Sequence, residues 1–299
     1  LMDRLHMINV SFMVDGMDER RGGCAGNIAY SMALLGEKPV IVSCAGKDFD
    51  SYGVKLAAMG LPLDGISLQM DIFTALCFIT TDMNGNQITG FYPGAMSRQA
   101  SFAYPGLDPE KDLAIISPGN VEDMRRLPLF YREKRIPYIY DPGQQLPVLS
   151  ADDLRNSIEG AFALVTNDYE LHMICNQTGL GEEELLGRAL WLVTTLGGQG
   201  CRVRGADGTD ERISAVEVTD VKDPTGAGDA QRAGLLKGLA LGLSVPEAAR
   251  IGAVTASFAI ECLGTQEHKI DPAEFARRHV NTYGPMPEVL EKNLDALAK

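Results

Sequence analysis

Short apolar runs of strand length alternate with stretches of helical periodicity along most of this chain. Residues 39–43 (Pro-Val-Ile-Val-Ser) read as a buried strand and residues 51–59 as a helix. Strand patterns recur at 113–117, 138–141, 163–166 and 192–195, with helical stretches such as 182–191 between them. Strands apolar throughout and separated by helices predict an α/β chain with a central, mostly parallel sheet covered on both faces. Each run ends in polar or glycine-rich residues, and in such sheets ligands bind beyond the carboxyl ends of the strands.

Two regions break the alternation. Residues 6–14 read as a strand before a turn, and 74–92 as two strands joined through 82–86, where Asn84-Gly85 is a strong hairpin signal. These antiparallel pieces predict a small sheet standing outside the main domain, with an edge hairpin on the main sheet as the alternative. The predicted division is a β lid from residues 1–21 and 65–96, and an α/β body from 22–64 and 97–299.

The segment richest in chemistry is 223–229, Asp-Pro-Thr-Gly-Ala-Gly-Asp, followed by an amphipathic helix over 230–241. Gly226 and Gly228 permit a tight turn whose amides, with that of Ala227, face forward at the positive end of a helix dipole, which makes an anion site. A carboxylate there, Asp229, repels an anion and is wasteful unless it does chemistry. General base toward an attacking hydroxyl fits, since phosphoryl transfer otherwise needs mainly positioning and charge stabilisation. Taken alone, the same residues also describe a glycine-rich turn with a helix-capping Asp. The segment is not a dinucleotide fingerprint, because Gln231 stands where a third Gly belongs, and no Gly-Lys-Ser/Thr follows to make a Walker loop.

Residues 223–229 resemble the signature of the ribokinase-like, or phosphofructokinase-B type, sugar and nucleoside kinases. Further marks of that family occur in order. Residues 22–27 (Gly-Gly-Cys-Ala-Gly-Asn) resemble its N-terminal glycine pair and Asn, residues 74–96 its lid hairpin, 167–170 (Asn-Asp-Tyr-Glu) its N-x-x-E element, and 195–200 (Thr-Leu-Gly-Gly-Gln-Gly) its nucleotide turn. The resemblance implies a three-layer α/β sandwich with a β lid, and transfer of the γ-phosphoryl group of ATP to an alcohol. It implies Asp229 as the base, Gly226, Ala227 and Gly228 as anion-hole amides, and Gly22, Gly23 and Asn27 at the acceptor sugar. Asn167, Thr195, Gly197 and Gly200 would serve ATP, and Glu170 magnesium through water. Asp223 and Thr225, with carbonyls near Gly264, would be a candidate site for K+. Each motif also has a plain reading: Gly22-Gly23 as a strand-to-helix turn, Asn27 as a cap or surface residue, Asn167 and Glu170 as a capping pair, 195–200 as a turn, Asp223 as a turn residue before Pro224.

Residues 91–96 and 141–145 (Asp-Pro-Gly-Gln-Gln) look like the bacterial and archaeal adenosine-kinase-like branch, which implies a purine ribonucleoside as acceptor. Phe12, Met13 and Phe78 could then cover the base. The family also begins with a strand ending in an Asp that holds sugar hydroxyls. Neither Asp3 nor Asp15 sits in that context, so either residues upstream of Leu1 are absent from this sequence or the sugar site is degraded; the second alternative makes a nucleoside-binding sensor without catalysis a second reading. A ribose or fructose-phosphate kinase is a third, for which Arg20 and Arg21 are the basic residues near the lid.

Composition narrows the partners. Lys and Arg number 27 against 40 Asp and Glu, a net charge of −13, which disfavours nucleic acid and anionic membranes. The six cysteines include no C-x-x-C pair and read as reduced, buried thiols of a cytoplasmic protein. No segment reads as a signal peptide or membrane span. The four histidines lack metal spacing, and His268 reads as a surface residue. A monomer or homodimer is expected.

Overall fold

A computed structural model describes residues 13–83 and 86–298. Helix α1 (Cys24–Leu34) leads to β1 (Ser43–Gly46), α2 (Asp50–Ala58) and β2 (Ile66–Gln69), and β1 and β2 pair in parallel as a two-stranded sheet. The antiparallel hairpin β3 (Leu76–Thr81) and β4 (Gln87–Tyr92) follows. The body then alternates: β5 (Ala114–Ile116), α3 (Val121–Lys134), β6 (Tyr138–Tyr140), α4 (Ala151–Ile158), β7 (Ala163–Asn167), α5 (Asp168–Thr178), α6 (Glu182–Leu186), β8 (Trp191–Thr195). Strands β9 (Cys201–Gly205) and β10 (Asp210–Ile213) close the sheet, and α7 (Ala227–Ala240), α8 (Val245–Ala259), α9 (Pro272–Tyr283) and α10 (Glu288–Leu297) complete the chain.

The six-stranded sheet has the order β10-β9-β8-β7-β6-β5. Strands β5 to β8 run parallel, and β9 and β10 add antiparallel pairs at one edge, so the sheet is mostly parallel as its apolar runs predicted. Side chains alternate across it. Tyr138, Tyr140, Leu164 and Leu192 pack with residues of α3, α4 and α5 on one face. Ile139, Ala163, Val165, Val193 and Val203 meet α1, α7 and α8 on the other. Three layers result.

Helices α7 and α8 touch through small residues. A Cβ at Gly234 would lie 2.5 Å from Thr255 Oγ1 and 2.6 Å from Gly252 Cα, and one at Gly238 2.5 Å from Ala248 Cα. This close seam holds α7 against the sheet with its N-terminus toward the strand ends. The hairpin differs in kind: all its described residues are exposed, Phe78, Ile88 and Phe91 included.

Several expectations need correction. The predicted strand at 39–43 instead runs Ser43–Gly46; Pro39 has no N–H for a ladder, and pairing with β2 begins at Ser43. The helix expected over 182–191 stops at Leu186, because Leu190 and Trp191 return to the sheet beside Ala161 and Ala163. Of the strand expected at 6–14, residues 6–12 lie outside the described residues, and Met13 and Val14 are exposed and not in a strand. His268 is buried, 1% exposed. Its ring packs edge-on to Tyr30, and its Nε2 lies 3.2 Å from Ser31 Oγ. All six cysteines are free, but only Cys44 and Cys201 are buried, and Cys77 on the hairpin is exposed, against the expectation of buried thiols. No helix among the described residues is long and apolar enough to cross a membrane.

Candidate active site

The predicted motifs converge beyond the carboxyl ends of β6, β7 and β8. Gly226 caps α7 in the left-handed conformation (φ 81°), and a Cβ there would lie 2.9 Å from Thr265 Cγ2, so both backbone and space demand glycine. The turn is pinned by Asp223, whose Oδ1 accepts from Thr225 N at 2.9 Å and whose Oδ2 accepts from Gly264 N at 3.0 Å. Burial pushes the Asp223 carboxyl up, but these bonds and the Arg20 charge outweigh it and hold it below the usual range. Ala227 N donates to Pro224 O at 3.2 Å. The amides of Gly226 and Gly228 carry no hydrogen bond among the described residues, so they, more than Ala227, are free to receive an anion.

Asp229 sits in the first turn of α7, partly buried, and Asn27 Nδ2 from α1 donates to its Oδ2 at 2.7 Å. Burial pushes the Asp229 carboxyl up to about 6, against the lowering effect of Asn27 and of Arg232. The Asn27 amide thus touches the carboxylate 202 residues away that the motifs had named separately. Gly23, at φ 92°, begins α1, and Gly22 and Gly23 are exposed beside it.

Asn167 ends β7 and caps α5. Its Oδ1 accepts from Glu170 N at 2.7 Å, and Glu170 Oε2 accepts from Asn167 N at 2.8 Å. This is the reciprocal capping box that the plain reading foresaw. Burial raises the Glu170 carboxyl, the Asn167 bond opposing. Thr195 ends β8 with its hydroxyl on Thr166 O at 3.3 Å. Gly197 (φ 57°) and Gly200 (φ 90°) shape the following turn, and a Cβ at Gly200 would strike Ile213 O at 1.9 Å.

Other residues at the site were missed as participants. Arg232 forms a buried two-pronged pair with Asp141, Nε to Oδ2 at 3.1 Å and Nη2 to Oδ1 at 2.9 Å, and its Nη1 donates to Gly228 O at 3.3 Å. Ser117 Oγ also donates to Asp141 Oδ2, at 3.0 Å. Gln266 Nε2 donates to Asn27 Oδ1 at 3.0 Å. Cys24 opens α1, accepting from Gln144 Nε2 at 3.4 Å; burial and then the Asp229 charge push its thiol up to about 12. Arg232 stands three residues after Asp229, a spacing that could have flagged it; Gln266 carried no signal.

A half-buried carboxylate beside unbonded helix-terminal amides, at the strand ends of a three-layer α/β fold, is an arrangement suited to a phosphotransferase acting on a hydroxyl. The family model for the pfkB family carbohydrate kinases matches residues 8–272, and the chain belongs to that family. It is 36% identical to the Burkholderia thailandensis nucleoside kinase in complex with inosine, with a TM-score of 0.86 over 94% of this chain and 92% of that one. It is 30% identical to the nucleoside kinase of Methanocaldococcus jannaschii over 261 residues, 86% of this chain and 85% of that protein. A crystal structure of M. jannaschii nucleoside kinase, described as an archaeal member of the ribokinase family, matches at a TM-score of 0.80 and 28% identity, covering 92% and 91% of the two chains. The ribokinase-like fold and the phosphotransferase class read from the motifs therefore hold.

Proposed function

We propose that this chain transfers the γ-phosphoryl group of ATP to the 5′-hydroxyl of a ribonucleoside, a purine nucleoside such as adenosine or inosine. The observation that carries the reading is the Asp229 carboxylate, held 2.7 Å from the Asn27 amide at the glycine-turn end of α7. Likeness to nucleoside kinases, one of them described in complexes with inosine and with ADP-inosine, favours a nucleoside over a free sugar.

Asp229 accepts the hydroxyl proton as the oxygen attacks the γ-phosphorus; the new O–P bond forms as the bond to the ADP oxygen breaks. The Gly226 and Gly228 amides, at the positive end of α7, receive the charge of the moving group. Thr195 and the turn through Gly197 and Gly200 line the nucleotide side with Asn167. Gly22 and Gly23 allow the acceptor sugar to approach α1.

Magnesium fits this donor set. No group of three or more His, Cys, Asp and Glu able to hold a metal occurs among the described residues, which suits an ion bound mainly by phosphate oxygens and waters. Glu170, beside Asn167 at the end of β7, would hold it through water, and the ion would neutralise phosphate charge. K+ at Asp223 and Thr225 fits less well. Both Asp223 oxygens are engaged, and Arg20 Nη1 donates to Leu263 O at 2.7 Å, bringing a fixed positive charge to that corner. No step is routed through a monovalent cation.

The exposed apolar hairpin β3–β4 supports a lid that closes over the nucleoside and excludes water. Pairing of that hairpin with a second copy would make a homodimer.

The test is ADP formation from ATP and magnesium with a panel of ribonucleosides and free sugars. Turnover with adenosine, inosine or guanosine and not ribose supports the reading. Turnover with sugars alone keeps the chemistry and discards the substrate; nucleoside binding without any product points to a sensor.

A further inference from the structure

Four side chains from four separate elements form one hydrogen-bonded chain. Asn27 of α1 donates from Nδ2 to Asp229 of α7, at 2.7 Å. Its Oδ1 accepts from Gln266 Nε2 at 3.0 Å, in the segment after α8. The same Gln266 nitrogen donates to the Tyr52 hydroxyl of α2, and that hydroxyl donates to Gly22 O at 3.2 Å. The chain therefore runs from the glycine pair before α1 to the carboxylate.

Its direction is forced. An ionised carboxylate only accepts, so Asn27 must present its NH2 to Asp229 and its oxygen to Gln266. Gln266 must then present NH2, and both its protons are consumed, one by Asn27 and one by Tyr52. The consequence is visible: Gln266 Oε1 is buried without a partner among the described residues. A buried orphan acceptor costs free energy, and here it is what the polarity of the chain requires. Space is reserved for the arrangement too, because a Cβ at Gly26 would lie 2.0 Å from Tyr52 Oη and 3.3 Å from Gln266 Nε2.

Resting on the reading of Asp229 as base, we propose that Gln266 and Tyr52 are positioning residues. They orient the Asn27 amide toward Asp229 and tie the Gly22 carbonyl to the same network, so that movement of the glycine pair is felt at the base. Loss of Gln266 frees the Asn27 amide to rotate. Because the Asn27 bond favours the charged carboxylate, weakening it moves the Asp229 titration to higher pH. The other charged and titratable groups acting on Asp229 are Cys24 of α1, Asp141 after β6 and Arg232 of α7, with Glu170 of α5 acting on the same guanidinium; none is altered by the substitutions below.

The experiment compares Gln266→Met and Tyr52→Phe with the parent enzyme, measuring kcat and KM across pH. Gln266→Met should lose about tenfold in kcat and shift the acidic limb of kcat/KM upward, with KM for ATP unchanged. Tyr52→Phe, which removes one hydroxyl and keeps the ring, should raise KM for the nucleoside about threefold and shift the limb in the same direction. Profiles that superimpose on the parent, with kcat and KM unchanged, overturn the proposal. If Gln266→Met does not fold, Tyr52→Phe decides. Asp229→Asn run in parallel separates the two readings: wild-type turnover there sinks the base itself. An inert Asp229→Asn alongside unshifted Gln266→Met and Tyr52→Phe sinks only the chain.

Discussion

Arg232 and Asp141 make the best-buried ion pair at the site, Nη2 to Oδ1 at 2.9 Å, with side chains 8% and 4% exposed. The pair joins α7 to the end of β6, and Arg232 also holds Gly228 O, so the turn that carries Asp229 is clamped from beneath. Removing one partner leaves a buried charge uncompensated. Asp141→Asn should therefore cost about 3–5 kcal/mol of stability, and Asp141→Asn with Arg232→Met less than the sum of the singles. Urea unfolding of the double-mutant cycle measures this; additive losses would contradict it.

Asp229→Asn keeps the side chain's shape and removes the proton acceptor. Turnover should fall about 10²–10⁴-fold, with ATP affinity near that of the parent. Steady-state rates and calorimetric titration with a non-hydrolysable ATP analogue check the two halves.

The raised Asp229 pKa sets a pH dependence. The base must be ionised, so kcat/KM should decline as pH falls through about 6 and level off above it. The same shift has a stability sign. A carboxyl with a folded pKa above its unfolded value disfavours the fold once ionised, so its cost grows as pH rises from about 4 to about 6. Asp229→Asn should accordingly raise the melting temperature at pH 7 while removing activity. Scanning calorimetry at pH 7 tests this, and a lowered Tm would count against it.

Gly226→Ala puts a side chain at φ 81° and a Cβ 2.9 Å from Thr265 Cγ2. Stability should drop by about 1–2 kcal/mol, with a larger proportional loss in kcat, because the shifted turn carries the amides. Gly234→Ala is the control. Its Cβ would meet the α7–α8 seam, costing about 1–3 kcal/mol with little change in kcat per folded molecule.

His268 is buried and neutral, its pKa lowered by burial to about 4. A base with a depressed folded pKa contributes stability that is lost as pH falls from about 6.5 to about 4. His268→Gln should flatten that part of the acid-unfolding curve, read as melting temperature against pH.

Much of this enzyme was legible in one dimension. The alternation of apolar runs and helices implied the layered sheet, because a strand buried on both faces must be apolar at every position. Asn84-Gly85 marked the hairpin, whose flanking strands β3 and β4 formed as read. Gly226 ahead of Asp229 marked the turn that opens α7, since its left-handed backbone favours glycine wherever it occurs. The strand at 39–43 shifted because its partner, not its own apolarity, set where pairing began. His268 was misplaced because its polar side chain says nothing about the Tyr30 ring and Ser31 hydroxyl that α1 brings to it.

What local residues alone determined were the elements and the turn chemistry, which depend on neighbours a few positions apart. Only the tertiary structure decided which groups act together. Asn27 meets Asp229 across 202 residues, Arg232 meets Asp141 across 91, and Gln266 meets Asn27 across 239. Such pairings leave no periodicity in the chain, because they arise where α1, α7, the end of β6 and the segment after α8 are brought together by packing around the sheet.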